Sequence, residues 1–211
     1  MHLYLVRHGQ SYINLPDYAD LHEDTALTEL GERQADRVAP WLRAHIPQLD
    51  ALYCSTLRRT RETARPISAA FGLQPTYEDS IREFGTNRAD HTPWPNDDLP
   101  AYANFWGSSH PFDPISVNVP GGETFVHFRA RVSIFVEQLL KRHKDQTVLV
   151  VCHGGVIEVA FDYCFNVGNW RHTEIRADNT SVTYFEHVDH PDRERWKLHY
   201  HNRTEHLLGD S

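Results

Sequence analysis

A chain of 211 residues with 40% hydrophobic content is long enough to bury one substantial core, and its length favours a single domain over 1–211. A formal net charge of −8 repels polyanions and argues against a nucleic-acid partner; no run approaches the ~18 apolar residues of a membrane span, so no membrane partner is expected. The three cysteines, Cys54, Cys152 and Cys164, stand outside any C-x-x-C pair, which suggests neither a disulfide framework nor a zinc site and makes a reducing cytoplasm the expected compartment.

HLYLV (2–6) reads as a short, continuously apolar strand, buried on both faces, and it ends on Arg7, His8 and Gly9. A buried strand end has few reasons to hold a permanent charge, whereas an anion pocket needs one; Gly9 is expected to let backbone approach a ligand closely. From Leu27, LTELGERQADRVAPWLRAHI predicts a helix capped by Thr28 and kinked or interrupted at Pro40. STLRRTRETARPISAAFG predicts a second helix, with Ser55 or Thr56 as the cap and Gly72 after its last turn. Its first turns carry Arg58, Arg59 and Arg61, where the helix dipole disfavours cations unless an anion compensates them; Arg58 and Arg61 equally suit a solvated basic face.

Residues 86–120 hold six of the twelve prolines together with Trp94, Tyr102, Phe105, Trp106 and Phe112. Prolines at that density forbid a long regular element, and the aromatics argue against plain disorder. Over 123–143, Phe125, Phe128, Val132, Phe135 and Leu139 recur at spacings of three and four, with Arg129, Arg131 and Lys141 off that stripe: a helix with a core face. TVLVVC (147–152) is a second buried strand, followed at once by His153 and Gly154; HGGVIEVAFDYCF reads as a helix, and TSVTYFEHV and RWKLHYHN as a hairpin around DHPDRE. Strands alternating with helices predict an α/β fold with a mostly parallel sheet, an antiparallel edge, helices on both faces, and ligands at the carboxyl ends of the strands. Arg7, His8 and His153 fall at such ends. Two imidazoles and at least two arginines converging there point to a phosphoryl group.

Fifteen histidines raise the question of a metal. The densest run, His187 to His206, holds no H-E-x-x-H and no helical i, i+4 pair; His199 and His201 would share one strand face, enough for an adventitious site only. Cys152 reads as a small apolar filler rather than a nucleophile.

The ordered motifs LVRHGQS…N, LTELGERQA, STLRRTRETA, IREF, GGET, VVCHGGVI, DNTSVTYFE and NRTEHL resemble the histidine phosphatase superfamily, the phosphoglycerate mutase-like proteins, over about residues 2–206. The resemblance implies a three-layer α/β/α sandwich in which His8 is phosphorylated and Arg7, Arg59 and His153 complete the phosphate pocket, with no metal and no cofactor. Arg59 rather than Arg58 matches the family's S-x-L-x-R, counted from Ser55; Thr60 stands where relatives usually have alanine. Gln10, Asn14 and Gly154 fall where the pocket is lined or supported. The implied general acid is Glu83 of SIREFGT, since Gly154 occupies the place of the acidic residue that follows the second histidine in other relatives, although the downstream F-G-x-W-E-G is degraded here to FGTNRAD. Residues 86–120 correspond to the segment that caps the pocket.

The implied activity is hydrolysis of small phosphorylated metabolites as phosphomonoesters, with the oligomeric state left open. A phosphoglycerate mutase is the first alternative; it would need an added basic run in the capping region, where 86–120 offers only Arg88 among Asp90, Asp97, Asp98 and Asp113. A non-catalytic phospho-ligand binding protein of the same fold is the second, and it would be free to lose His8, Arg59 or Glu83, all of which are present.

Overall fold

The computed structural model describes residues 1–18, 22–101, 113–168, 170, 174–190 and 195–208. Strands β1 (His2–Arg7), β2 (Ala51–Ser55), β3 (Thr76–Glu78), β4 (Thr147–Cys152), β5 (Val182–Val188) and β6 (Arg195–Arg203) form one sheet in the order β3-β2-β4-β1-β5-β6. The first four run parallel, and β5 and β6 add the antiparallel edge. The hairpin turn at 191–194 lies outside the described residues.

The middles of β1 and β4, Leu3–Val6 and Val148–Val151, are apolar on both faces because alternate side chains enter different layers. Leu3, Leu5, Val148 and Val150 pack against α3 (Phe125–Arg142) and α4 (Gly154–Cys164). Tyr4, Val6, Leu149 and Val151 pack against α1 (Glu29–His45) and α2 (Arg58–Phe71). The result is the expected three-layer α/β/α sandwich. Among the described residues no helix is long and apolar enough to cross a membrane.

Thr28 caps α1 as expected, its hydroxyl accepting from the Gly31 N–H, an interaction worth about 1 kcal/mol. Pro40 does not interrupt the helix, which runs unbroken from Glu29 to His45. Pro40 and Asp36, whose carbonyl loses its helical donor, are both exposed, so water replaces the missing bond. Neither Ser55 nor Thr56 caps α2. Leu57 occupies the cap without a side-chain bond, because the Ser55 hydroxyl faces His153 and that of Thr56 donates to Asp79. Gly72 closes α2 in the left-handed conformation, φ 66°. Along α3 the five stripe residues are buried, each contributing about 1.5–3 kcal/mol of transfer free energy. Arg129 and Arg131, off that stripe, are buried too, and they survive there through ion pairs with Asp162 and Glu123.

β1 and β4 are adjacent and parallel with Arg7 opposite Cys152, and the His8 N–H donates to the Cys152 carbonyl at 3.0 Å. Register alone therefore sets His8 beside His153.

Candidate active site

His8 is buried, 2% exposed, with its ring centroid 5.2 Å from that of His153. Nδ1 lies 2.7 Å from the Gly9 carbonyl, which can only accept, so Nδ1 carries the proton and Nε2 presents a lone pair. The Arg59 Nε–H points at that Nε2 from 3.3 Å. Burial first, then the Arg59 and Arg7 guanidiniums, hold His8 well below the ordinary imidazole value, against a smaller opposing effect of the Gly9 carbonyl. It is a neutral imidazole among fixed cations.

His153 is the N-cap of α4 and fully buried. Its Nε2 lies 2.9 Å from the Ser55 hydroxyl, whose oxygen also accepts from the Leu57 N–H at 3.4 Å. The Ser55 hydroxyl has no other acceptor among the described residues, so its proton is assigned to Nε2, which makes Nδ1, without a partner among the described residues, the protonated nitrogen. Burial, then Arg59, His8, Arg131 and Arg7, push His153 well below its ordinary value.

Arg59 is 2% exposed and leans on Asp24, Nη1 to Oδ1 3.6 Å. Asp24 is itself fixed by the Asn96 amide at 2.8 Å and by the Arg58 N–H. Arg58 is exposed and pairs with Glu62, and Arg61 sits over the Tyr77 ring, so of the three arginines at this helix start only Arg59 enters the site. Thr60, the departure from the usual alanine, turns its hydroxyl back to the Ser55 and Leu57 carbonyls and stays out of the site. Arg7 donates to the Ala177 carbonyl.

Arg7, His8 and Arg59 line one side of a cleft of about 210 Å³, while His153, fully buried against His8, does not itself line it. Glu83, Phe84, Gly85, Thr86, Leu99 and Pro100 line the other, and Ile13, Asn14, Tyr18 and Glu23 complete the lining. Oε1 of Glu83 accepts the Phe84 N–H at 2.9 Å, and Oε2 accepts the Gly155 N–H at 3.3 Å, at the start of α4. A Cβ at Gly155 would stand 2.4 Å from Oε1 and would push the Glu83 carboxylate aside. Arg7, Glu83 and Phe84 also border an adjoining lobe lined by Gly154, Glu158, Glu174 and Arg176.

Oδ1 of Asn14 accepts from Ser11 and from Asn179, so the donor it can offer the cleft is its Nδ2. Gln10 is placed differently: its Oε1 accepts from Thr28, and it does not line the cleft. The close approach expected of Gly9 is to protein rather than ligand, because a Cβ on Gly9 would lie 2.5 Å from the Gly31 carbonyl at the start of α1. Trp94 packs under the Arg88 guanidinium, 4.1 Å from the ring centroid, and belongs to the loop's own packing. Tyr102, Phe105, Trp106 and Phe112 lie outside the described residues. Asp90, Asp97 and Asp98 do not line the cleft. His199 bonds Glu186, and His201 bonds Thr183 and the Arg176 carbonyl.

Asp24, Tyr18 and Thr180 join the site without a motif of their own. Thr180, buried at φ 56°, donates its N–H to the Arg7 and His8 carbonyls, and the Asn179 amide donates to His8 O at 3.0 Å. The only signal for the last two was their place in DNTSVTYFE.

The family model described as the histidine phosphatase superfamily (branch 1) matches residues 3–204. Phosphoserine phosphatase 1 of Hydrogenobacter thermophilus is 34% identical over 174 residues, 79% of this chain and 76% of that protein. The 2,3-bisphosphoglycerate-dependent phosphoglycerate mutase of Methylorubrum populi is 31% identical over 157 residues, 72% of this chain and 73% of that protein. Among solved structures, a mycobacterial glucosyl-3-phosphoglycerate phosphatase complexed with VO3 superposes with a TM-score of 0.72 at 25% identity, covering 94% of this chain and 97% of that one.

Proposed function

Because the chain belongs to the histidine phosphatase superfamily, branch 1, we propose that it hydrolyses small phosphate monoesters through a phosphohistidine at His8, with Arg7, Arg59 and His153 holding the phosphoryl oxygens. The observation that carries this reading is the tautomer of His8: Nδ1–H tied to the Gly9 carbonyl leaves the Nε2 lone pair in the cleft beside a buried guanidinium. The nucleophile needs no deprotonation, since burial and two arginines keep it neutral.

The steps balance as follows. The Nε2 lone pair attacks phosphorus in line while the bond to the leaving oxygen breaks, and Glu83 gives that oxygen its proton, releasing an alcohol. Arg59, Arg7 and the His153 Nδ1–H meet the charge on the equatorial oxygens. Water then attacks phosphorus, the Glu83 carboxylate takes its proton, and the P–N bond breaks to return the lone pair to His8 with release of inorganic phosphate. Of the described residues in 86–120, Thr86, Leu99 and Pro100 line the cleft, where they would cover the leaving group. The absence of a basic run there favours hydrolysis over mutase transfer. With three free cysteines, the proposed place of action is the cytoplasm.

The test is rapid-quench trapping with a ³²P-labelled substrate. An acid-labile, base-stable phosphoenzyme formed within the first turnover and absent from His8→Ala supports the reading; turnover without it refutes the covalent route. Rapid p-nitrophenyl phosphate hydrolysis separates the enzyme from a mere phospho-ligand binder, and unchanged activity after exhaustive EDTA treatment separates arginine from metal neutralisation.

A further inference from the structure

We propose that Arg131 and Glu123, a buried ion pair outside the cleft, are the positioning residues that aim Glu83, a proposal that rests on the reading of Glu83 as proton donor. Glu83 sits on the segment after β3, a three-residue strand at the sheet's edge paired only with β2, so the sheet does little to fix it. Support comes instead from α3. The Arg131 side chain is 1% exposed and that of Glu123 0%, and Nε and Nη2 donate to the two Glu123 oxygens at 2.8 Å each. Nη1 donates to the carbonyls of Ser80 at 2.9 Å and Arg82 at 2.8 Å, and Nη2 to that of Glu83 itself at 3.1 Å. Every N–H of the guanidinium is engaged. Glu123 Oε1 adds the Gly85 N–H at 2.9 Å, so the backbone is gripped on both sides of Glu83.

Stability alone is a poor account of this arrangement. A buried ion pair often does no better than apolar residues of equal volume, and here an apolar pair would strip the Ser80 and Arg82 carbonyls and the Gly85 N–H of these partners, while the Glu83 carbonyl would keep Thr86. The planar fork matches three carbonyls of one loop, which a lysine ammonium cannot do. Packing acts in the same direction: the guanidinium lies 4.7 Å from the Phe128 ring, which stacks on Phe84 beside Glu83.

The test is Arg131→Lys, which keeps the charge facing Glu123 and abandons the carbonyls, measured alone and in a Glu83→Gln background. A small displacement of a general acid costs on the order of 10- to 100-fold. The variant should lose that factor in kcat on an alkyl phosphate with KM unchanged. It should lose little in the p-nitrophenol burst, and under threefold more when Glu83 is already Gln. An equal loss on both substrates, or the same factor in both backgrounds, overturns the proposal. If Arg131→Lys does not fold, Glu123→Gln, which keeps the side chain's size and one acceptor oxygen, is read by the same ratios; if neither folds, the pair is a stability element and the proposal fails. Glu83→Gln alone reports separately on the premise, because a loss there without leaving-group selectivity removes Glu83 as donor, whereas selectivity there and none in Arg131→Lys removes only the positioning role.

Discussion

The two walls of the cleft are built by different means. The phosphate wall stands on regular structure: His8 and His153 follow adjacent parallel strands, and Arg59 sits in the first turn of α2, so strand register and helix start fix their placement. The opposite wall is loop, residues 83–86 and 99–100, carried by an edge strand and secured by side chains reaching from α3. On the proposed function, the pocket for the one constant group, phosphate, is placed by backbone, and the part that would meet a variable leaving group by side chains on a loop.

The sharpest way to break this contrast is to remove a group from each wall. His8→Ala should lower turnover on every substrate by roughly 10⁴- to 10⁶-fold, the scale seen when a nucleophile is deleted, with circular dichroism unchanged. Near-normal hydrolysis by the folded variant would leave the phosphate wall without its nucleophile. Glu83→Gln should cost an alkyl phosphate about 10²- to 10⁴-fold in the chemical step. With p-nitrophenyl phosphate, whose leaving group departs unprotonated, a burst should be followed by slow turnover. Equal losses without a burst would move the proton donor elsewhere, first to Glu158, which borders the adjoining lobe and is pushed up to about 8 by burial and by Glu83.

Between Arg59 and Arg58 the expected difference is smaller but cleaner. Arg59→Ala should lose on the order of 10²- to 10³-fold in kcat/KM, the cost of one charge-stabilising donor, while Arg58→Ala, an exposed i, i+4 partner of Glu62, should change activity less than about twofold. Similar effects would mean that Arg59 is not the guanidinium facing the phosphoryl group.

What could be read in the sequence divides along the same line as the walls. Apolar runs ending in His-Gly marked both strand ends, and the resemblance to the family, through its S-x-L-x-R counted from Ser55, singled out Arg59. These signals are local, and local caps, composition and, for 123–143, apolar periodicity placed all four described α-helices. The errors lie where a long-range partner decides. Ser55 and Thr56 look like caps until His153 and Asp79 claim their hydroxyls. Gln10 looks like a ligand group until Thr28 takes it, and Gly9 looks adapted to a ligand until Gly31 comes against it. Arg131 looked like a polar residue off the apolar stripe, because nothing near it in the chain announces carbonyls about 50 residues away. Asp24 had no motif, and its role depends on the fold bringing it to Arg59.

The smallest expected effect tests whether acid sensitivity belongs to the phosphate wall. His8 and His153 are both buried, face Arg7 and Arg59 (His153 also Arg131), and are held well below the ordinary imidazole value. Unfolded, each titrates near pH ~6.5. Below that pH the unfolded chain binds protons that the folded chain does not, so the stability these two neutral side chains contribute is present above ~6.5 and lost as pH falls toward their folded values. The limiting slope is about 1.4 kcal/mol per pH unit per histidine. Urea unfolding at pH 7.5, 6.5 and 5.5 should show the midpoint falling over the last interval, and His8→Asn or His153→Asn should each remove one histidine's share of that fall. Activity should behave differently over the same range. A nucleophile already neutral needs no deprotonation, so kcat/KM should show no proton-dependent limb near ~6.5 while the protein stays folded. A limb at that pH in the wild type that stays unchanged in Arg59→Ala would mean that His8 titrates normally and that the arginines do not hold it neutral.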